Sequence, residues 1–241
     1  MKLAAFPPDA AFLPALASAW LSSGAEAGQG LIILPNRRAA RALAGAFLRA
    51  NAGRALLLPR IIAQGAIDEA GLAIGQALDL PPAIAPVQRQ AMLAALILKR
   101  GGANGAPASL PGAWALAADL ALLLDEADGA EIDLADRLPS LVSGELAAHW
   151  QTTLEFLTIV THAWPAILAE QRVMNPLARQ TALITAQIAA WQAAPPAHRV
   201  WLVARAATPA GARLAAAVAD LPHGRLLLPG YVDDNLLPDA A

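Results

Sequence analysis

With 241 residues and 57% apolar side chains, the chain can bury one large core or two small ones, which excludes a disordered polymer. It has no cysteine, which excludes disulfides, thiolate catalysis and cysteine-built zinc or iron–sulfur sites within it and fits a cytoplasmic protein. A net charge of −2 argues against a surface coated with lysine for indiscriminate nucleic-acid binding, and the alanine-rich apolar content predicts a helix-dominated protein.

Residues 2–6 are predicted as a short strand. "PPDAAFLPALASAWL" then reads as a turn into a helix, with Asp9 as N-cap. Pro7, Pro8, Asp9 and Pro14 interrupt any apolar leader, so no signal peptide is read here. "GLIILP" is a short apolar run between Gly30 and Pro35, the pattern of a strand buried on both faces in a parallel sheet. Asn36 is placed to cap a helix running to about Ala50. "ALLLPRI" repeats the strand pattern, with Gly53 supplying the turn before it.

From 67 to 194 the spacing is helical. Leu116, Leu120 and Leu123 share one face, and Leu146, Trp150, Leu154, Leu157 and Trp164 share another. No run reaches the roughly 20 uninterrupted apolar residues of a membrane span, so no membrane partner is expected. Near the end the opening pattern returns: "VWLVA" as strand, "PAGARLAAAVADL" as helix and "RLLLPG" as strand. The apolar runs ending at Pro35, Pro59 and Pro229 are predicted as neighbouring strands, each stopped by a residue unable to continue a ladder. The expected fold class is therefore α/β: a parallel sheet built from 1–66 and 195–241, interrupted by a large helical insertion over 67–194, and helix-dominated overall. Ligands of such sheets bind outside the carboxyl ends of the strands.

Charge is unevenly spread. Residues 30–60 hold six arginines and no acid, whereas Asp119 to Glu155 hold nine acids against Arg137 alone. Arg37, Arg38 and Arg41 would occupy the first turns of the Asn36-capped helix, where roughly half a positive charge disfavours a cation by about 0.3–1 kcal/mol. Arg37 and Arg41 also stand four apart, a repulsive spacing. An arriving phosphate reverses the sign of these terms. The alternative is that acids of the helical insertion fold over and neutralise the arginines. Arg49, Arg54 and Arg60 carry a weaker claim, since solvated arginines are common.

Several catalytic signatures are missing. Where a nucleotide-binding loop would follow the first strand, the chain reads "FPPDAAF", without the glycines or Gly-Lys-Ser/Thr that cradle phosphates, so ATP hydrolysis is not expected. "LALLLDE" imitates a magnesium-binding strand, but Trp114, Ala117, Leu120 and Leu124 keep helical spacing through it, which places Asp125 and Glu126 on a solvated helical face. His149, His162, His198 and His223 lack metal-ligand spacing, and no cofactor is expected. Trp150, Trp164, Trp191 and Trp201 are read as core rather than as base-stacking platforms.

"LIILPNRRAARALAGAFL", "GRALLLPRI", "LPPAIAPVQRQAMLAALIL", "LAADLALLLDEAD", "ELAAHWQTTLEFLTIVTHAWPAILAEQ" and "LLLPGYVDD", in this order, resemble the N-terminal part of the AddB family in its alphaproteobacterial form. The resemblance implies a P-loop-helicase-like (RecA-like) domain in one subunit of a heterodimeric helicase–nuclease that processes double-strand breaks for recombination. It implies two partners, DNA as a single strand or duplex end and an AddA-type motor subunit. "LPNRRAARAL" is similar to the helicase motif that touches the DNA backbone after the second strand, which assigns that role to Asn36, Arg37, Arg38 and Arg41. The family's C-terminal nuclease region and cluster-binding cysteines have no counterpart here, so the chain itself is expected to be non-catalytic. The turn after "VWLVA" is reduced to "RAATPAG", which weakens any contact the family makes there. The competing expectation is a scaffold that docks AddA without touching DNA.

Overall fold

The computed structural model describes residues 3–7, 11–23, 28–67, 80–100, 109–138, 157, 161–204 and 208–230. The chain divides into two compact units, Met1–Leu78 with Ala182–Ala241, and Asp79–Thr181.

The first unit is a mixed α/β layer structure around a five-stranded parallel sheet. Its strands are β1 (Leu3–Phe6), β2 (Leu31–Leu34), β3 (Arg60–Ala63), β4 (Val200–Val203) and β5 (Gly224–Pro229), in the order β1-β5-β4-β2-β3. Strands β2 and β4 are buried at every position, as expected for sheet interiors covered on both faces. Period-two alternation sorts their side chains. Ile32, Leu34, Trp201 and Val203 join the core under α1 (Phe12–Ser22) and α2 (Arg37–Ala50), supported by Trp20, Leu43 and Phe47. Leu31, Ile33, Val200 and Leu202 face the opposite core with Ile184, Trp191, Leu214 and Val218.

Gly30, with φ at +136°, feeds β2. A Cβ there would stand 2.7 Å from the Trp20 ring and 2.8 Å from the Arg199 carbonyl oxygen, so both backbone and packing demand glycine. On the carboxyl side Pro35 ends β2, and Pro229 is the last residue of β5, as the pattern predicted. The run at Pro59 differs. Residues 55–59 make no ladder, Leu57 is 83% exposed, and β3 starts only after the proline. The ladder begins where an N–H becomes available: Arg60 N–H donates to the Gly30 carbonyl at 2.9 Å, and Arg60 registers with Leu31. The predicted cap Asp9 lies outside the described residues, and Ala11 precedes α1 without a side-chain cap.

The second unit is helical among its described residues: α3 (Pro86–Arg100), α4 (Leu110–Ala130), α5 (Leu134–Arg137), a helix described over 161–170 (α6), and the start of α7 (Pro176–Ala193). Leu93, Ile97, Ala113, Ala117, Leu120, Leu124 and Trp164 form its core. It is smaller than the expected 67–194 insertion. From Ala182 onward α7 belongs to the sheet unit, because Ile184 and Trp191 pack beneath β2 and β4. The remaining helix, α8 (Pro209–Asp220), starts with Thr208 Oγ1 accepting the Gly211 N–H at 3.1 Å. No helix among the described residues is long and apolar enough to cross a membrane.

Candidate nucleic-acid interface

The carboxyl end of β2 turns directly into α2. Asn36 has extended dihedrals, its Oδ1 accepts the Ala39 N–H at 2.9 Å, and its carbonyl accepts the Ala40 N–H at 3.2 Å. The N–H groups of Arg37 and Arg38 precede the point where an intrahelical ladder can begin. No acid occupies the first turn. Leu43, Ala46 and Phe47 are buried and fix the inner face of α2, so Arg37, Arg38 and Arg41 project as exposed residues from its outer side.

Asn36 is therefore first a cap. Its carbonyl oxygen is committed to the helix, which leaves the side-chain NH2 for a ligand. Arg37 and Arg41 line a groove of about 380 Å³ whose floor is Ala40, the edge strand β3 and Ala66. Arg60, at the first position of β3, lines the same groove. Because α2 reverses the direction of β2, the cationic surface starts at the carboxyl rim and continues down the flank of the outermost strand.

Arg38 does not line the groove, nor do Arg49 and Arg54. Arg49 lies in the last turn of α2, where the helix dipole favours a cation, so its position has an ordinary structural account. Among the described residues, neither Arg38 nor Arg41 forms an ion pair with a carboxylate. Arg38 and Arg41 thus retain the unfavourable helix position that their spacing predicted. Sequence spacing undervalued Arg60, since only the start of the ladder after Pro59 sets it opposite Leu31 and beside α2.

The magnesium-like signature resolves differently. Asp125 and Glu126 lie within α4, helical as predicted, but Asp125 is not simply solvated: Arg89, only 4% exposed, donates from Nη1 to its Oδ1 at 2.7 Å. Trp164, Trp191 and Trp201 are buried, and Trp150 lies outside the described residues. His162, His198 and His223 are exposed, and His149 lies outside the described residues.

No protein-family model matches the chain, and no curated protein is similar enough to count as a match. The functional reading therefore rests on the groove and on the sequence resemblance.

Proposed function

We propose that the sheet unit binds the phosphate backbone of DNA through Arg37, Arg41 and Arg60, with Arg38 and the Asn36 amide alongside. On this reading the chain is the N-terminal, RecA-like but ATPase-degenerate region of an AddB-type subunit. It takes part in double-strand break processing beside an AddA-type motor in the cytoplasm, with no cofactor of its own. The supporting observation is the convergence of three guanidinium-bearing residues on one groove, two of them at a helix end that disfavours cations. Guanidinium forks match phosphate oxygens bidentately, and an anion there also gains from the helix N-terminus.

Exposed Leu48, Leu57 and Leu58 favour a second reading, in which this side of the sheet unit docks the AddA partner. Fluorescence anisotropy with single-stranded and forked DNA, paired with co-purification of the partner, separates the two. Loss of DNA affinity on replacing the groove arginines by glutamine, with partner binding intact, supports the first. Absence of DNA binding at low salt overturns it.

A further inference from the structure

A second basic concavity, of about 270 Å³, opens at the amino ends of β4 and β5 in the sheet unit. Ser23, Arg199, Trp201, His223 and Arg225 are among its walls, and no described residue lining it is acidic. Register sets it at the opposite rim of the sheet from Asn36. Val200 pairs with Gly224, and both stand in the row of Leu31, the first residue of β2, whereas Asn36 follows the last. The volume falls just below that of ordinary small-ligand sites, about 300–1,000 Å³, and suits a compact anion.

One of its cations has an ordinary structural account. Arg199 Nη1 donates to the Trp20 carbonyl at 3.2 Å and to Ser23 Oγ at the carboxyl end of α1, where the helix dipole favours a cation, and its guanidinium carbon lies 4.1 Å from the Trp20 ring centre. Arg225 has no such account. It is exposed, its guanidinium carbon lies 5.1 Å from the Trp201 ring centre, and among the described residues no carboxylate pairs with it. The Trp20 and Trp201 rings meet edge to face at 4.8 Å, so the two guanidinium groups rest on touching supports. Burial, and then the charge of Arg225, hold the Arg199 guanidinium below its ordinary range, as like charges drawn together must. A guanidinium that stacks through its face keeps its in-plane N–H fork for an acceptor. The exposed His223 ring adds a donor at the same wall.

We propose that this pocket binds a phosphate group, as the free ion or as the terminal group of a monoester, with Arg225 and His223 donating to its oxygens and Arg199 contributing charge from a fixed position. Two guanidinium charges without an acid among them match a monoester of about −1.5 to −2 near neutral pH, whereas a diester brings a single charge. The pocket shares no lining residue with the phosphodiester groove and stands independently of it.

The test follows arginine side-chain N–H signals of the ¹⁵N-labelled full chain during titration with inorganic phosphate, with dimethyl phosphate, and with a short oligothymidylate carrying either a 5′-phosphate or a 5′-hydroxyl. The expected result is a saturable shift at Arg225 with inorganic phosphate, at least about tenfold tighter than with dimethyl phosphate, as charge-assisted bonds to a dianion imply. Arg49, which lines neither pocket, reports non-specific effects. Preference for the 5′-phosphorylated oligonucleotide assigns the group to a nucleotide end, and binding of phosphate without that preference assigns it to the free ion; both uphold the pocket. Arg225→Gln, read at Arg199, should weaken phosphate by about tenfold or more. His223→Glu, which sets a carboxylate in the pocket, should abolish the shift in case the first variant fails to fold. The groove variant Arg37→Gln, Arg41→Gln, Arg60→Gln should bind phosphate as the parent does, which separates this site from the DNA reading. A shift no larger at Arg225 than at Arg49, equal affinity for dimethyl phosphate, or undiminished affinity in Arg225→Gln would overturn the proposal.

Discussion

Asn36 allows the stability of α2 and the chemistry of its anion site to be pulled apart with one side chain. Its Oδ1 caps Ala39 at 2.9 Å, and an aspartate oxygen can make the same bond. Asparagine and aspartate cap comparably, and the negative charge adds about 0.3–1 kcal/mol from the helix end, to which the neighbouring arginines contribute further attraction. Asn36→Asp should therefore hold stability or raise it by up to about 1 kcal/mol, a Tm shift of roughly 2–4 °C for a unit of this size. The same change sets a carboxylate beside the groove and replaces a donor with an acceptor, so DNA affinity should fall. Asn36→Ala should do the reverse, losing about 1 kcal/mol of stability with little direct effect on the charge at the groove. Thermal melts and anisotropy titrations on the three proteins give both readouts. If Asn36→Asp binds DNA as tightly as the parent at low salt, the reasoning that puts phosphate at this helix end is wrong.

Three further outcomes follow from the packing. Burial pushes the Asp128 carboxyl above its ordinary 3.8, with the Asn175 hydrogen bond and Arg89 opposing the rise and Asp125 adding to it. The folded state thus holds this proton more tightly than the unfolded chain, so its contribution is present at low pH and declines as pH climbs from the ordinary carboxylate range to the raised value. Urea midpoints across that range should fall less steeply in Asp128→Asn, and an identical profile would contradict the burial account. Arg89→Ala strands two acids beside the core and should destabilise the helical unit by about 3 kcal/mol in urea unfolding, whereas a loss below about 1 kcal/mol would mean that the pair is solvated in practice. Gly224→Ala would bring a Cβ to 1.8 Å from the Val218 carbonyl oxygen, so the α8–β5 connection must shift, at a cost of about 1–3 kcal/mol readable in the melting of the sheet unit.

Much of the sheet was legible because strand interiors leave an unambiguous pattern. Runs such as "LIIL" and "VWLV", buried at every position, announce a parallel sheet covered on both faces, and Asn36 before an amphipathic stretch announces its cap. Pro59 misled because an apolar run beside a proline looks alike whether the residue ends the strand or precedes it; only the Arg60 to Gly30 hydrogen bond distinguishes them. The extent of the helical unit was illegible for a related reason. Periodicity marks the apolar face of α7 but does not say which core that face meets, and Ile184 and Trp191 meet the sheet. At the candidate site, Arg37 and Arg41 were readable from a local conflict between charge and helix dipole. Arg60 was not, because its place depends on a ladder formed with a distant residue. Likewise, the partnership of Arg89 with Asp125 joins positions 36 residues apart, and no local spacing encodes it.

The most direct measurement of the central claim is the salt dependence of single-stranded DNA affinity for the parent chain and for the triple variant Arg37→Gln, Arg41→Gln, Arg60→Gln. Each phosphate contact to a single strand contributes about 0.7 to the slope of log affinity against log salt. Loss of all three contacts should flatten that slope by about 2 and weaken binding most at low salt. An unchanged slope in a folded variant would contradict the account, because the groove would then hold no DNA phosphate.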